Sequence, residues 1–373
     1  MKNKILFISI NDHVPWGGSE ELWSRTAFEL NKLENYSISV LIKKWPKEQT
    51  QVKLLREQGV QIFYKNSLSN KKFLFSKILN KTKVFENHYL LDKDLVVISL
   101  GNSVDRKLLK FTKFLNKYQK PYCLIIQLAT DLRDLTDGLS EALLEAYKNA
   151  VQVYFLSIEN AFKTELLLGG QLENINYINN PFNYSQEYSL PPSNEKKFSL
   201  ASVAAFNCFH KSQDLLIKVL SQEKWRNRDL ILNLYGDGGN SKRLKRLVNE
   251  YNLNNKIFFK GFVKDKKEIW DNNHAGIFVS RMEGQSLAML EGLSSGRIMI
   301  STKVGDAERL IKHKITGYLI DGVTFENIDK NLETAWDARN NWIQMGIIAR
   351  KYLFEIIKND PVKDFSNKLK KLI

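Results

Sequence analysis

Short, nearly continuous apolar runs alternate along this chain with longer amphipathic stretches. Runs of the kind expected for buried parallel strands lie at residues 5–10, 38–42, 60–64, 95–100, 122–128 and 151–157. Helical periodicity occupies several of the intervals, at residues 19–33, 48–58, 103–118 and 139–149. Strands that alternate with helices predict a doubly wound parallel sheet in this half of the chain.

A second series of the same kind follows a proline- and serine-bearing segment at residues 189–195, which is typical of an interdomain linker. Its predicted strands lie at residues 199–204, 230–235, 257–259, 275–280, 298–302 and 317–320. The end of the chain is helical except at Asp360-Pro361, which should interrupt the helix. We therefore predict an α/β protein with domains at residues 1–188 and 189–345, followed by C-terminal helices at residues 346–373.

Length and cysteine usage agree with this division. The 373 residues are about twice a common domain size. Cys123 and Cys208 sit in apolar segments of different domains, so we expect buried free thiols and a reducing compartment. The first apolar run spans six residues and is read as a strand rather than a signal peptide. No run approaches the ~18 apolar residues that span a bilayer, so we expect a cytoplasmic protein, soluble or peripheral on the membrane.

The charge is unevenly distributed. The chain carries a net charge of +15, and residues 38–120 contain 18 Lys/Arg against 6 Asp/Glu. Nucleic acid, an anionic membrane and anionic substrates are the partners that such a balance suggests. No nucleic-acid-binding module accompanies the charge, so nucleic acid is not the expected partner. An ordinary solvated surface and contact with an anionic membrane both remain open.

Residues 105–120 bear on whether the basic segment contacts a membrane. Leu108, Phe111, Leu115 and Tyr118 have helical spacing, and lysines and an arginine fill much of the remainder. A basic amphipathic helix can lie on an anionic lipid surface. It can also be a sheet-covering helix with its stripe in the core, which we favour, with the lysines facing outwards. Together with the lysine-rich residues 65–83 it would form one basic surface.

The most informative stretch is residues 280–296, which lies between apolar runs at 275–279 and 298–302. A strand, a glycine-containing turn, a short helix and a second strand make one parallel crossover unit. The helix should begin near Gln285 or Ser286, with Leu287, Leu290 and Leu293 on one face. Its first N–H groups would point to the mouth of the sheet, where an anion such as a diphosphate is expected.

Two acids accompany this predicted anion site, Glu283 and Glu291, with seven residues between them. A carboxylate does not bind phosphate, because like charges repel, but it accepts hydrogen bonds from hydroxyl groups. One acid for a sugar and one for a ribose, with the diphosphate between them, would describe a nucleotide-sugar site. The alternative is that Glu283 caps the helix and Glu291 is solvated.

These acids belong to a longer pattern that includes Gly284, Gly292, Gly296 and the segment Val304-Gly305-Asp306-Ala307-Glu308. The pattern resembles the E-x7-E donor-site signature of retaining family-4 glycosyltransferases. Asp306 departs from it, since a second glycine is usual there. The resemblance implies the GT-B fold: two Rossmann-like domains facing across a cleft, with C-terminal helices that cross back to the first domain.

The resemblance also implies roles for individual residues. Glu283 would hold donor-sugar hydroxyls and Glu291 the ribose, while Lys211 and nearby amides stabilise the departing diphosphate. Glu283 and Lys211 are the catalytic candidates. The donor-binding candidates are Gly17, Gly18, Lys211, Gly236, Phe262, Val263, Glu283, Gly284, Gln285, Ser286, Leu287 and Glu291. Gln127, where many relatives have a histidine, is the acceptor-side candidate; a buried, hydrogen-bonded glutamine is the alternative.

The surroundings of Lys211 match the family in part. His210-Lys211-Ser212-Gln213-Asp214 resembles H-K-G-Q-D except at Ser212. Relatives usually carry an arginine five or six residues before the lysine, where this chain has Ala205 and Phe206. One of the two usual diphosphate cations is therefore missing or supplied from elsewhere.

Cofactor and metal motifs give no competing interpretation. Gly236-Asp237-Gly238-Gly239 nearly spells a dinucleotide fingerprint, but Lys260 stands where the ribose-binding acid is expected, so we do not expect NAD. Asp92-Lys93-Asp94 precedes a strand instead of ending one, and the histidines lack metal spacing. We expect neither a cofactor nor a metal.

The implied function is transfer of a sugar from a UDP- or GDP-linked donor to a hydroxyl acceptor, with retention of anomeric configuration and no protein nucleophile. The acceptor would be a glycan, a lipid-linked molecule or another hydroxyl compound. One alternative is another GT-B enzyme, a glycoside phosphorylase or a sugar-nucleotide epimerase. The other is a non-catalytic basic binding protein on a degenerate scaffold, which the missing arginine near Phe206 favours.

Overall fold

The computed structural model describes residues 2–65, 88–130, 134–182, 191–192 and 197–373. The chain divides into two compact units: unit 1 is Met1–Pro181 with Asn359–Ile373, and unit 2 is Phe182–Lys358. The first boundary therefore lies after Pro181 rather than at the predicted position 188/189. The predicted linker, residues 189–195, is outside the described residues except for Pro191 and Pro192.

Unit 1 is built on a seven-stranded parallel sheet with the strand order β3-β2-β1-β4-β5-β6-β7. Its strands are β1 (Asn3–Ser9), β2 (Tyr36–Lys43), β3 (Gln61–Lys65), β4 (Leu95–Leu100), β5 (Tyr122–Ile126), β6 (Gln152–Phe155) and β7 (Ile175–Tyr177). Its helices are α1 (Gly18–Asn31), α2 (Thr50–Glu57), α3 (His88–Leu91), α4 (Leu108–Lys117), α5 (Asp137–Lys148) and α6 (Ile158–Leu168).

The strands are largely apolar because helices cover both faces of the sheet and bury most of the strand residues. All residues of β4 are buried, as a doubly covered parallel strand requires. Successive residues of β1 enter different clusters: Leu6 packs in one, and Phe7 in the other. The alternation follows from the two-residue period of a strand. Cys123 and Cys208 are free and buried in different units, as predicted.

Unit 2 has a six-stranded parallel sheet with the order β10-β9-β8-β11-β12-β13. Its strands are β8 (Phe198–Val203), β9 (Leu230–Tyr235), β10 (Ile257–Gly261), β11 (Ala275–Phe278), β12 (Ile298–Thr302) and β13 (Gly317–Ile320). Its helices are α7 (Cys208–Lys211), α8 (Gln213–Leu220), α9 (Glu223–Asn227), α10 (Ser241–Glu250), α11 (Lys266–Asp271), α12 (Leu287–Ser294), α13 (Ala307–Leu310), α14 (Phe325–Asp337) and α15 (Trp342–Ile356).

The strand order identifies both units as doubly wound, Rossmann-like sheets, which confirms the predicted fold class. In each, the first strand lies beside the fourth, so the crossovers reverse direction between β1 and β4 and between β8 and β11. Such a switch point leaves a crevice at the carboxyl ends of the two strands, where ligands bind in sheets of this kind.

The C-terminal helices differ from the prediction that residues 346–373 return to the first domain. Helix α15 belongs to unit 2, because its buried residues Met345, Ala349 and Leu353 pack in clusters of that unit. Only the segment from Asn359 belongs to unit 1. There α16 (Pro361–Lys370) packs against α1, with its N-terminus capped by the Asp360 carboxylate.

The basic helix predicted at residues 105–120 is α4. Leu108 and Leu115 are buried in the unit 1 core and Phe111 is half-buried against it, so these three residues of the stripe pack inwards as favoured, whereas Tyr118, beyond the last turn of α4, is exposed. Lys110, Lys113 and Lys117 are exposed. Residues 66–83 of the proposed basic surface lie outside the described residues. No helix in the described part of the chain is long and apolar enough to cross a membrane.

Candidate functional site

The switch point of unit 2 brings together the loops that follow β8 and β11. Helix α7 follows β8, and the loop from Val279 to Ser286 connects β11 to α12. The backbone N–H of Arg281 donates to the carbonyl of His210 at 2.8 Å, which ties the two loops to each other. The residues predicted for catalysis therefore share one crevice.

Lys211 and Glu283 are in direct contact there. The Nζ atom of Lys211 lies 2.5 Å from Oε1 of Glu283, which also accepts a hydrogen bond from Ser280 Oγ at 2.7 Å. Their side chains are only 24% and 14% exposed. A partly desolvated ion pair of this kind presents one cation to an anion and one carboxylate to hydroxyl groups.

Helix α12 begins where the sequence predicted. Ser286 is its N-cap, and the Ser286 hydroxyl accepts a hydrogen bond from the backbone N–H of Met289. Leu290 and Leu293 are buried, whereas Leu287 and Glu291, one turn apart, are both half-buried.

The loop after β12 fixes the backbone beside Glu283. Gly305 has a positive φ of 61°, and a Cβ atom there would overlap the carbonyl oxygen of Gly284. The backbone N–H of Asp306 donates to that same carbonyl at 2.9 Å. Only glycine combines this close approach with a left-handed backbone, which explains the glycine of the signature.

Asp306, the departure from the signature, forms a buried polar cluster. It is 4% exposed and accepts hydrogen bonds from Gln285 Nε2 at 2.6 Å and from both Nε and Nη2 of Arg309. Burial raises the pKa of Asp306, and the hydrogen bonds and charge of Arg309 oppose that rise. Because the Gln285 amide donates to Asp306, the backbone of Gln285 is the better candidate for contact with a donor.

The loop after β9 supports α7 from the other side. Gly236 has a φ of 129°, and a Cβ atom would overlap the carbonyl oxygen of Ala204. Asn240 accepts a hydrogen bond from the N–H of Cys208 at 2.8 Å, at the first residue of α7. The glycine-rich segment therefore positions the helix that carries Lys211.

The place of the missing arginine is part of the core. Phe206 is buried, and its ring packs edge-on against Phe259 at 5.8 Å. Its backbone N–H donates to the carbonyl of Asp237. An apolar ring anchors this loop, so position 206 supplies no cation for a diphosphate.

Ser212 occupies a position that favours glycine. It joins α7 to α8 in a left-handed conformation, with a φ of 49° and a ψ of 31°. Its side chain is buried, and the hydroxyl has no hydrogen-bond partner among the described residues. The backbone turn explains why the resembled pattern has glycine after the lysine.

Phe262 and Val263 follow β10 at the same edge of the sheet. Phe262 is 78% exposed, and the ammonium of Lys266 lies 5.0 Å from its ring centroid. Val263 is half-buried against a core cluster. An exposed aromatic ring can stack with a base. The contact of Phe262 and Val263 with the nucleotide stays a prediction.

In unit 1, Gly17 occupies the N-cap position of α1, and the hydroxyl of the nearby Ser19 accepts a hydrogen bond from Asn11 Nδ2 at 2.8 Å. Gly17 has an extended φ of −155°, so positive φ is not what this glycine provides. Binding of a donor by Gly17 and Gly18 remains a prediction.

Sequence reasoning missed the buried carboxyl group of Glu20. It accepts hydrogen bonds from four side chains: Ser9, Asn11, Ser19 and Trp23. Burial raises the pKa of Glu20, while these four donors oppose the rise. The available signal was an acid two residues after Gly18, with a tryptophan one helical turn later. The cluster holds the end of β1 to the start of α1.

A second missed cluster centres on Asp12. Its carboxylate lies 2.6 Å from Lys65 Nζ and 3.0 Å from Lys107 Nζ. Burial alone would raise the pKa of Asp12, but the hydrogen bonds and charges of the two lysines outweigh it and lower the pKa. Two cations of the basic segment are therefore paired.

Gln127, the acceptor-side candidate, is buried beyond the end of β5. Its backbone N–H donates to the carbonyl of Leu100 at 3.1 Å. The alternative of a buried, hydrogen-bonded glutamine is therefore met only in part: Gln127 is buried, but its side-chain nitrogen Nε2 has no hydrogen-bond partner among the described residues. In the described ranges, no three His, Cys, Asp or Glu residues group to hold a metal.

Residues 189–351 match the family model of glycosyl transferases, group 1. This segment contains Lys211, Glu283 and Glu291 and lies entirely within unit 2.

Two curated relatives resemble part of the chain. Poly(ribitol-phosphate) alpha-N-acetylglucosaminyltransferase of Staphylococcus aureus is 25% identical over 157 residues, which are 41% of this chain and 31% of that protein. N-acetyl-alpha-D-glucosaminyl L-malate synthase of Bacillus anthracis is 27% identical over 135 residues, 36% of this chain and 35% of the relative. The matches thus span about a third of the length of each relative.

Solved structures share the fold along the whole chain. HepE of Anabaena, in a complex with UDP, has a TM-score of 0.75 at 16% identity and covers 100% of this chain and 99% of its own. TarM of S. aureus, in a complex with fondaparinux, alpha-GlcNAc-glycerol and UDP, has a TM-score of 0.71 at 14% identity over 100% and 99% of the two chains. The fold of this protein is therefore that of GT-B glycosyltransferases.

Proposed function

We propose that this protein is a glycosyltransferase that moves a sugar from a nucleoside diphosphate sugar to a hydroxyl acceptor, with retention of anomeric configuration. The observation that carries the proposal is the 2.5 Å contact between Lys211 and Glu283 at the switch point of unit 2. The contact lies beside α12, within the segment that matches the glycosyltransferase family model.

Each residue has a separate task in this proposal. Lys211 and the first amides of α12 bind the diphosphate, and they stabilise the negative charge that grows as the sugar departs. Glu283 accepts hydrogen bonds from the donor sugar, and Glu291 accepts them from the ribose. The leaving phosphate takes the proton of the acceptor hydroxyl, so no side chain acts as a nucleophile. Neither a cofactor nor a metal is assigned to this reaction.

We infer that the donor is UDP-N-acetylglucosamine. The names of the S. aureus and B. anthracis relatives both specify transfer or attachment of an N-acetyl-alpha-glucosaminyl group. The GtfA subunit of Limosilactobacillus reuteri, 28% identical over 160 residues, is named for UDP-N-acetylglucosamine. HepE and TarM are both solved in complexes with UDP. The GDP-linked alternative has no such support.

We further propose that the protein works in the cytoplasm and touches an anionic membrane that bears a lipid-linked or polymeric acceptor. The exposed Lys110, Lys113 and Lys117 of α4 support this proposal, because cations near an anionic leaflet each contribute about 1 kcal/mol. The first relative acts, by its name, on poly(ribitol-phosphate), an anionic polymer. A positively charged protein attracts an anionic acceptor.

A donor and acceptor screen tests the proposed function. Thermal unfolding is measured with UDP-N-acetylglucosamine, UDP-glucose and GDP-mannose, and the first is expected to stabilise the protein most. Release of UDP is then followed with a ribitol phosphate oligomer, L-malate and a serine-containing peptide as acceptors. UDP release that depends on one acceptor, with an α-linked product by NMR, is the expected result. Release without any acceptor, or a β-linked product, would overturn the assignment.

A further inference from the structure

Unit 1 contains a cavity of about 340 Å³. Its walls include none of the residues proposed above to bind the donor or the acceptor. It lies over the carboxyl ends of β1 and β2, between the start of α1 and the loop from Lys44 to Gln49 that leads into α2. Small-molecule sites occupy about 300–1,000 Å³, so this cavity suits a ligand of the size of one phosphorylated sugar.

The charged groups around the cavity favour an anion. Lys43, Lys44, Lys47 and Arg56 contribute four cations, against the carboxyl groups of Glu20 and Glu48. Glu48 is paired with Arg56 at 2.6 Å, and the Glu20 carboxyl is enclosed by its four donors. Both acids are therefore already satisfied within the protein.

Two of these lysines are available to a ligand. Lys44 and Lys47 are exposed at the cavity, and their ammonium groups form no ion pair with any residue that the structure describes. The Lys44 ammonium lies 5.9 Å from the ring centroid of Tyr64. Charge-assisted hydrogen bonds from such ammonium groups bind phosphate oxygens well.

Aromatic rings supply the rest of the wall. Trp16, Trp45 and Tyr64 line the cavity, and Lys43 Nζ lies 4.0 Å from the Trp45 ring centroid. The Tyr64 hydroxyl accepts a hydrogen bond from Arg56 Nη2 at 2.7 Å, which fixes the position of that ring. Flat aromatic faces pack against the C–H faces of sugars, and the adjacent cations add affinity for an anionic substituent.

We propose that this cavity binds a phosphorylated sugar or polyol group. That such a group belongs to the acceptor rests on the proposed glycosyltransferase function, whereas binding itself does not. The ligand's phosphate contacts Lys44 and Lys47, and its sugar or polyol part lies against Trp45.

Calorimetry at low salt tests the proposal with three probes: glucose 6-phosphate, glucose and inorganic phosphate. Glucose 6-phosphate is expected to bind at least about tenfold more tightly than either of the others, because only it engages cations and ring together. The double variant Lys44→Gln/Lys47→Gln should weaken its binding about tenfold, and Trp45→Ala should remove its advantage over inorganic phosphate. Lys53→Gln on α2 is the matched control, because Lys53 pairs with Glu57 and does not line the cavity.

Each outcome decides the matter. Equal affinity for inorganic phosphate and glucose 6-phosphate shows an adventitious anion surface only, and absence of binding or an unaffected lysine variant overturns the proposal. UDP affinity is measured on the same samples and should be equal in all variants. If the wild type fails to bind UDP while the cavity results hold, the proposed transferase function fails and the cavity stands.

Discussion

Lys211 and Glu283 neutralise one another in a crevice that leaves both side chains mostly buried. A donor that enters must therefore offer both partners a replacement at once: an anion for Lys211 and hydroxyl groups for Glu283. A buried charge that loses its partner without replacement is costly. In the proposed function, the pair would thus couple recognition of the diphosphate to recognition of the sugar.

Glu291 should act through the nucleoside. A carboxylate that accepts hydrogen bonds from ribose hydroxyls contributes roughly 1.5–3 kcal/mol. Glu291→Ala is therefore expected to weaken UDP binding by about ten- to a hundredfold in calorimetry, with the fold intact. Glu250→Ala, at the exposed end of α10, is the control and should leave UDP binding unchanged. Unchanged affinity in a folded Glu291→Ala protein rules out the ribose contact.

Ser212→Gly should stabilise the protein. Glycine adopts the left-handed conformation without steric cost, and the change also removes a buried hydroxyl that has no hydrogen-bond partner in the described part of the chain. We expect the free energy of unfolding to rise by about 1 kcal/mol, seen as a higher unfolding midpoint. Ser221→Gly provides a contrast: Ser221 has a right-handed φ of −76°, so its replacement should lower stability. A midpoint that falls in Ser212→Gly contradicts the strain argument.

At the scale of elements, the glycines of the signature serve packing as much as binding. A Cβ atom at Gly292 would overlap Met299, so this glycine lets α12 lie close to β12. A Cβ atom at Gly346 would overlap the carbonyl of Gly296, so α15 also approaches the end of α12 closely. The short helix beside Glu283 is held in place from both sides, which is what a rigid binding site requires.

The sequence predicted the elements that have a strong period and failed where tertiary packing decides. The continuous apolar runs identified twelve of the strands, including β4 and β12, because parallel strands covered on both faces leave no polar positions. The three-residue β7 is too short to show a period. The boundary at Asn359 was missed because the apolar pattern of α15 does not reveal which unit it packs against.

Of the candidate site, only the residues that belong to the family motif were predicted. The resemblance to a family pattern supplied Glu283, Glu291 and Lys211 as candidates, but the hydrogen-bonded clusters around Asp306 and Glu20 also include residues from separate loops. Arg309 and Trp23 lie three residues after the acids they contact, but Gln285 and Ser9 are brought in from other loops by the fold and leave no local pattern in the sequence.

The pairing of β8 with β11 should make stability depend on pH. Ser199 N–H donates to Nδ1 of His274 at 3.0 Å, and burial, followed by the charge of Arg297, lowers the pKa of His274 below 6.5. The unfolded chain then binds more protons than the folded one as pH falls below about 6.5, so stability is complete above that pH and declines below it. Urea unfolding of the wild type and His274→Gln at pH 7.5 and 5.5 should show a smaller acid loss in the variant. An equal loss means that other groups cause it.

At the scale of the whole molecule, some of the basic residues form ion pairs and others are exposed to solvent. Of the basic residues between 38 and 120, Lys65 and Lys107 are paired with Asp12, whereas Lys110, Lys113 and Lys117 are exposed on α4. Leu108 and Leu115 of α4 are in the core, so we expect any membrane contact to be chiefly electrostatic and superficial. Such contact decays within a Debye length of about 10 Å at 0.1 M salt.

Vesicle flotation tests this surface. We expect binding to anionic vesicles at low salt, little binding to neutral vesicles, and release as the salt concentration rises. Lys110→Gln/Lys113→Gln/Lys117→Gln should weaken the anionic binding, because these side chains are exposed and the core residues of α4 are unchanged. Equal binding to neutral and anionic vesicles means that the charge serves another purpose.

The central claim is that Lys211 holds the diphosphate and Glu283 the sugar. It is tested most directly by measuring UDP affinity and transfer from UDP-N-acetylglucosamine for Glu283→Gln beside the wild type. The change removes the charge that occupies Lys211 at 2.5 Å, so UDP affinity should be unchanged or higher, while transfer falls by about a hundredfold or more. Loss of UDP affinity with transfer preserved would contradict the account.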